Sequence, residues 1–511
     1  MSQNYLGFYT PAAIAYLNTY PFELVRKSYG TLTGLDITSG KGVGIPESHS
    51  PILQKVGYEE ALPALVDCHE RHHYHQFALT MFGAFYWKCM KTIDMSWLSL
   101  LWGWSHVKDF PKSFLTPKVF SLLTKHDCSE NGYKQDDVGR LAWEEGIVGN
   151  NLSAFIALIN FKSELNQSTV ADVFIRSVAA IHSNEHNEPY DGAALEISDP
   201  DKPFFAEHVY TQAEIFEGFA KYRELSMLRS SPSFNQLLYK WINGLNGVYE
   251  PVAKVLTNYS SSTVALIEEY ILNPPLELIF SNHSEVLLFD DALPSLRFAK
   301  IIASLKKYSD AASHKEFLSD LLHQDSEKRK KCADRYKMFD TSYLCRRSFV
   351  MGEKYNFLDG KDFWDLAQEV HTKAMRARTN NPLYFSPLFG GGIHKELDQL
   401  AQDYIWTRPA VYIYPDMVFF SDLSGSFPER LTKDPQKQAL FQFICTTISN
   451  SIIYDCSPDR FHHLKNMLIA NCETWAGSNK SALRGIDLAL NTICPKFLQR
   501  RMGFVDDSNS G

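Results

Sequence analysis

The stretch CHERHHYHQF, Cys68 to Phe77, holds four of the chain's 17 histidines within seven positions. It contains the pattern HExxH, spelled by His69, Glu70, Arg71, His72 and His73. Placed on a helical wheel, Leu62, Leu65, Val66, His69, His73, Phe77 and Ala84 share one sector. A helix over 59–90 therefore carries both motif histidines along its apolar stripe, with Arg71, Tyr74, His75 and Ala78 on the other side. Residues four apart project from one helix face, so two imidazoles can reach one cation while Glu70 reaches a water on it. Two inward imidazoles side by side need a shared partner, and a divalent cation provides one. The alternative is a pair of core histidines bonded to carboxylates such as Asp67 or to backbone carbonyls.

Helical periodicity also dominates the rest of the chain. It predicts helices over 113–125, 136–160, 168–182, 211–229, 233–257, 261–272, 292–306, 314–335, 361–376, 393–404, 434–452, 458–475 and 480–499. Strand signals are few: Ala410 to Phe420, where Pro415 forces an edge or a break, and a weaker one from Thr31 to Thr38. The expected fold is mainly α, with a zincin-like HExxH helix in a multi-helical domain over 1–290. A second helical domain with one short strand region follows over 291–511. No internal repeat or long low-complexity linker occurs.

With 511 residues, 45% of them hydrophobic and 13% aromatic, the chain can bury sizeable cores. A formal net charge of -8 gives no general attraction to nucleic acid. The one dense basic run, Lys328 to Lys331, reads as a solvated helix face. Nine cysteines without a CxxC pair describe neither a disulfide framework nor a zinc module, and fit a reducing compartment. The start of the chain does not read as a secretory leader, and no apolar run reaches the roughly 20 residues of a membrane span. WLSLLWGW, Trp97 to Trp104, is too short for one. The expectation is a cytoplasmic protein.

HExxH is the geometry of hydrolytic zinc, which takes three protein ligands and keeps an open position, with the motif glutamate as general base. The third ligand is sought in TQAEIFEGFAKYRE, Thr211 to Glu224. Thr211 and Glu214 have capping-box spacing, which occupies Glu214 at the helix start and leaves Glu217 available. Gly218 and Ala220 allow a facing helix to approach. Glu214 and Glu224 are the alternatives. On a wheel Glu217 shares its sector with Lys221, Glu224 and Leu228, so a solvated face with a Glu217–Lys221 pair competes with the ligand role.

HExxH followed by a downstream helical EGxA, here Glu217, Gly218, Phe219 and Ala220, resembles the glutamate-zincin (gluzincin) metallopeptidases and uncharacterised bacterial proteins with an HExxHxxQ helix. The resemblance covers some forty residues. It implies one zinc per chain held by His69, His73 and Glu217, Glu70 as base, and a peptide or protein substrate. Cys68 reads as a small buried hydrophobe, and His72 or Gln76 as groups that support the ligands. His208, Tyr210 and Tyr222 are options for stabilising an oxyanion.

Other patterns compete weakly. His182, Glu185 and His186 match HxxEH, but Ser183, Asn184, Asn187 and Pro189 mark a helix end or loop. Glu70 and His73 form the ExxH half of a di-iron site, without a second ExxH in the chain. No GxSxG occurs, only Ser424-Gly425-Ser426, and Gly390 to Gly392 lacks a phosphate-loop lysine. Against the zinc hydrolase stands a non-catalytic helical interaction protein with a structural or metal-binding histidine cluster.

Overall fold

A computed structural model describes residues 7–10, 15–18, 20–33, 57–90, most of 152–160, 165–186, 195–205, nearly all of 210–280, 287–330, 361–386 and short strands within 411–430. The helices expected at 113–125 and from 393 onward lie outside these residues, as do Trp97 to Trp104, Gly390 to Gly392 and Ser424 to Ser426. The fold is mainly α, as the periodicity predicts. Among the described residues no helix is long and apolar enough to cross a membrane.

The helix bearing HExxH is shorter than its periodicity suggests. After α1 (Phe22–Thr33), α2 spans Tyr58–Ala78, and a second helical stretch runs over 81–90. The break lies at Leu79 and Thr80. Thr80 Oγ1 accepts the Gly83 amide at 3.0 Å while its hydroxyl donates to the Gln76 carbonyl at 2.5 Å, which ends one helix and starts the next. Gly83 is required there, because a Cβ would stand 2.0 Å from the Gln76 carbonyl oxygen.

Pro63 lies inside α2 and removes one rung of its ladder. The adjoining rung is bridged from α1: the Ser28 hydroxyl donates to the Glu60 carbonyl at 2.6 Å and accepts the Ala64 amide at 3.2 Å. An inserted hydroxyl of this kind satisfies backbone groups that a proline-perturbed helix leaves open.

The weak strand signal at Thr31 to Thr38 is overturned as far as Thr33, which is helical. Val25 and Leu32 are buried and outweigh the β preference of the threonines, and Thr31 bonds back to the Lys27 carbonyl at 2.9 Å. The stronger signal becomes a hairpin. β5 (Val411–Ile413) and β6 (Val418–Phe420) pair antiparallel with Ile413 opposite Val418, on either side of Pro415. They join a five-stranded sheet with β1 (Gly7–Thr10), β2 (Ala15–Asn18) and β7 (Glu429–Arg430), in the order β1-β2-β5-β6-β7. β2 and β5 run parallel. Leu195–Glu196 and Leu287–Leu288, β3 and β4, form a separate parallel pair.

The remaining described helices are α3 (Gln167–His186), α4 (Gln212–Leu228), α5 (Phe234–Asn243), α6 (Glu250–Leu256), α7 (Ser261–Leu272), α8 (Pro294–Leu305), α9 (Ala311–Lys330) and α10 (Lys361–Asn380), with short turns of helix between. The predicted helix at 233–257 divides into α5, a 3-10 turn at Gly247–Tyr249 and α6. Gly244 ends α5, Gly247 takes φ +53°, and Pro251 sits in the first turn of α6.

α2 packs against α1, α4, β1 and β2, so it is covered almost all round. Tyr74 and Ala78, on the side away from the apolar stripe, are as buried as Leu65. Contacts cross the boundary expected near 290. β5 lies beside β2, and Arg378 of α10 donates to the Leu79 carbonyl at the end of α2.

Candidate metal centre

Two contacts fix α4 beside α2. Phe216 packs at a tilt against Phe77 with ring centroids 4.4 Å apart, and the Phe216 carbonyl accepts the Gln76 side-chain amide at 3.1 Å. Both rings are buried, and burial of one such side chain is worth about 1.5–3 kcal/mol. This sets Glu217, the next residue, opposite the motif histidines. The helix start is held by the expected capping box: Thr211 Oγ1 accepts the Glu214 amide at 3.1 Å and Glu214 Oε2 accepts the Thr211 amide at 2.7 Å. Glu214 is thereby engaged as a cap.

Gly218 does allow close approach, but of α6 rather than of α2. A Cβ there would stand 2.5 Å from Val252 Cβ and 3.2 Å from the Ala253 amide nitrogen. α4 is thus pinned between α6 on one side and the HExxH helix on the other.

His69, His73 and Glu217 converge, and one ligand atom from each lies within 4.8 Å of the others. His69 Nε2 stands 3.0 Å from Glu217 Oε2 and 3.2 Å from His73 Nε2, and His73 Nε2 stands 3.4 Å from the same carboxylate oxygen. Both imidazoles are buried, whereas the Glu217 side chain remains 29% exposed, so solvent reaches the cluster from that side. Glu70, in the same turn of α2, is buried at 8% exposure.

Each ring is oriented through its other nitrogen. His69 Nδ1 meets Glu224 Oε1 at 3.0 Å, and the second oxygen of Glu224 accepts Lys221 Nζ at 2.7 Å. His73 Nδ1 meets Gln76 Oε1 at 2.8 Å. Glu224 is therefore a support of His69, which leaves Glu217 as the third donor of the cluster. Lys221 pairs with Glu224, and no Glu217–Lys221 pair forms the solvated face that the wheel allowed. The wheel misleads because α4 is buried nearly all round, with Glu224 at 5% and Leu228 at 0% exposure.

The electrostatics follow from this packing. Burial alone would depress the His69 pKa, but hydrogen bonds to Glu217 and Glu224 outweigh it and raise the pKa to about 10. Burial opposes ionisation of Glu217, yet the His73 charge and the His69 hydrogen bond hold its carboxyl well below the usual range. The cluster demands a shared positive charge, either a proton or a cation. Burial pushes the Cys68 thiol up to about 11, and Cys68 is not among the donors that converge with His69, His73 and Glu217; it serves as the small buried group its position suggests.

Two neighbours carry no sequence signal. Glu268 of α7, 2% exposed, places Oε1 2.7 Å from His72 Nε2 and 2.9 Å from Gln76 Nε2. Burial raises its carboxyl to about 8. Tyr249, in the 3-10 turn, sets its ring edge-on to His69 with centroids 5.8 Å apart. Only contact across the fold reveals either. Of the tyrosines considered for an oxyanion, Tyr222 bonds Arg229 and the Tyr259 carbonyl, and Tyr210 packs on Phe298. His208 lies outside the described residues, and His182 to His186 form the last turns of α3.

No family model, curated protein or solved structure matches this chain.

Proposed function

We propose that the protein is a zinc-dependent hydrolase of peptide bonds. One observation carries this reading: two imidazole Nε2 atoms and a carboxylate oxygen converge while each ring's Nδ1 is engaged by an oxygen acceptor. Such a donor set, with its outer nitrogens tied down, is what a zinc ion held by two histidines and a glutamate requires. His69, His73 and Glu217 would hold the metal. When bound, zinc would supply Lewis acidity and lower the pKa of a water at an open position to roughly 7.

The chain's own groups divide the remaining work. Glu70 takes a proton from the attacking water and delivers it to the leaving amine. Glu224 and Gln76 hold the rings so that both Nε2 lone pairs face one point. The partly exposed side of Glu217 is where a peptide carbonyl enters. The resemblance of HExxH and EGxA to the gluzincins agrees with this division.

The test is metal analysis of protein purified without a polyhistidine tag, paired with a peptide-cleavage assay. About one zinc per chain is expected, lost when His69 and His73 become alanine. Glu70→Gln should keep the zinc and abolish hydrolysis, and unchanged turnover would refute its role as base. A non-catalytic helical protein is the competing reading, favoured by the two carboxylates that already satisfy His69. It predicts no cleavage, with zinc absent where the cluster is structural or bound without turnover, whereas a di-iron centre predicts iron.

A further inference from the structure

Glu268 lies on α7, a helix that contributes no atom to the His69, His73 and Glu217 cluster. From there its Oε1 reaches two side chains of α2. The directions of the hydrogen bonds around it are fixed by what each group can donate. Gln76 Nε2 faces two acceptors, the Phe216 carbonyl at 3.1 Å and Glu268 Oε1 at 2.9 Å. The amide can donate twice from its nitrogen and not at all from its oxygen. Its oxygen must therefore be the atom that meets His73 Nδ1 at 2.8 Å. Only a protonated Nδ1 can donate to it, and a neutral imidazole protonated at Nδ1 keeps its lone pair on Nε2, the atom that faces His69 and Glu217.

We infer that Glu268 is a positioning residue for the metal centre: its oxygen, acting through Gln76, holds His73 in the Nδ1–H tautomer that a cation ligand needs. The inference rests on reading His69, His73 and Glu217 as one cation site. Without an acceptor at Glu268 only the Phe216 carbonyl still holds the Gln76 amide, and the turned-over rotamer gains population. Its NH2 would then face His73 Nδ1, favour the Nε2–H tautomer and leave no lone pair toward the cation. The same oxygen meets His72 Nε2, so neighbouring imidazoles of α2 are tied to a single point on α7. What matters is an oxygen acceptor at that point, more than a negative charge.

Zinc dissociation constants of the full chain, measured by competition with a chromophoric chelator, test this with four variants. Glu268→Leu should bind zinc about 10–100-fold more weakly than the wild type, the usual loss when a partner of a ligand is removed. Glu268→Gln keeps an oxygen at the same point and should stay within a few-fold of the wild type. Gln76→Leu should lose about as much as Glu268→Leu, and combining the two should lose no more than Gln76→Leu alone. Wild-type affinity in Glu268→Leu overturns the proposal. So does Glu268→Gln binding as weakly as Glu268→Leu, which would mean charge rather than acceptance, and so do losses that add. Glu268→Met replaces the leucine variant if that does not fold.

A second arm needs no metal. In metal-free protein labelled with [15N]histidine, two-bond proton–nitrogen correlations should report Nδ1–H at His73 in the wild type and Glu268→Gln, and a gain of Nε2–H in Glu268→Leu. Identical His73 signals in all three overturn the inference. A wild type that takes up no zinc defeats the proposed function, and the ring signals still decide the role of Glu268.

Discussion

Glu224 and His69 stand 155 positions apart in the chain and meet through Oε1 and Nδ1 at 3.0 Å. The contact turns the opposite nitrogen of His69 toward Glu217 and His73. Carboxylate partners of this kind fix the tautomer of a ligating imidazole and raise its basicity. Glu224→Leu should weaken zinc binding about 10–100-fold while leaving the three donors in place, whereas Glu217→Ala removes a donor and should cost more. Chelator competition measures both. Equal affinities for Glu224→Leu and the wild type would show that His69 needs no such partner.

Much of this centre is legible in one dimension because its key spacings are local. His69 and His73 are one helical turn apart, and Thr211 and Glu214 make a capping box, so each pair is specified within a few residues. What fails is the step from helix to neighbourhood. Wheel reasoning assumes one buried face, and both α2 and α4 are buried nearly all round, so Tyr74 and Glu224 are misplaced. Glu268 and Tyr249 become visible only when α7 and the Gly247 turn are packed against the site. β2 finds its partner β5 about four hundred residues away, a pairing that no short pattern announces.

The Ser28 hydroxyl bridges the Glu60 carbonyl and the Ala64 amide, beside Pro63. Ser28→Ala leaves two backbone groups of α2 without that bridge. An unmet buried polar group costs about 1–3 kcal/mol, so the variant should unfold at lower denaturant concentration with an unchanged slope. Because the disturbance lies well before His69, zinc affinity should change far less than stability does. A midpoint equal to the wild type would mean that water replaces the hydroxyl.

Arg378 joins the chain beyond residue 360 to the end of the HExxH helix. Its Nε and one terminal nitrogen each lie 3.1 Å from a different oxygen of Glu269, and another nitrogen donates to the Leu79 carbonyl. Both charged side chains are buried, at 1% and 0% exposure. Breaking such a pair from one side strands a buried charge and costs about 3–5 kcal/mol, whereas replacing both partners by apolar groups is often neutral. Arg378→Met should therefore be severely destabilised, and adding Glu269→Met should restore much of the loss in urea unfolding. Additive losses in the double variant would indicate that the Leu79 carbonyl, and not Glu269, is the main beneficiary.

His371 of α10 is buried edge-on against Trp87, and burial, helped by the nearby Lys88 charge, lowers its pKa to about 3. In the unfolded chain an imidazole titrates near 6.5. Above that pH both states are neutral and His371 adds no pH dependence. As the pH falls below 6.5 the unfolded chain takes up a proton that the folded chain refuses, and stability is lost progressively until about pH 3, where the folded state also protonates. At pH 5 the loss from this residue is about 2 kcal/mol, from 1.36 kcal/mol per pH unit. His371→Phe, which keeps an aromatic ring against Trp87, should flatten the fall in unfolding free energy between pH 6.5 and 4. The readout is the slope, so any uniform change in stability at neutral pH leaves the test intact, and a slope identical to the wild type would mean that the ring is protonated in the fold.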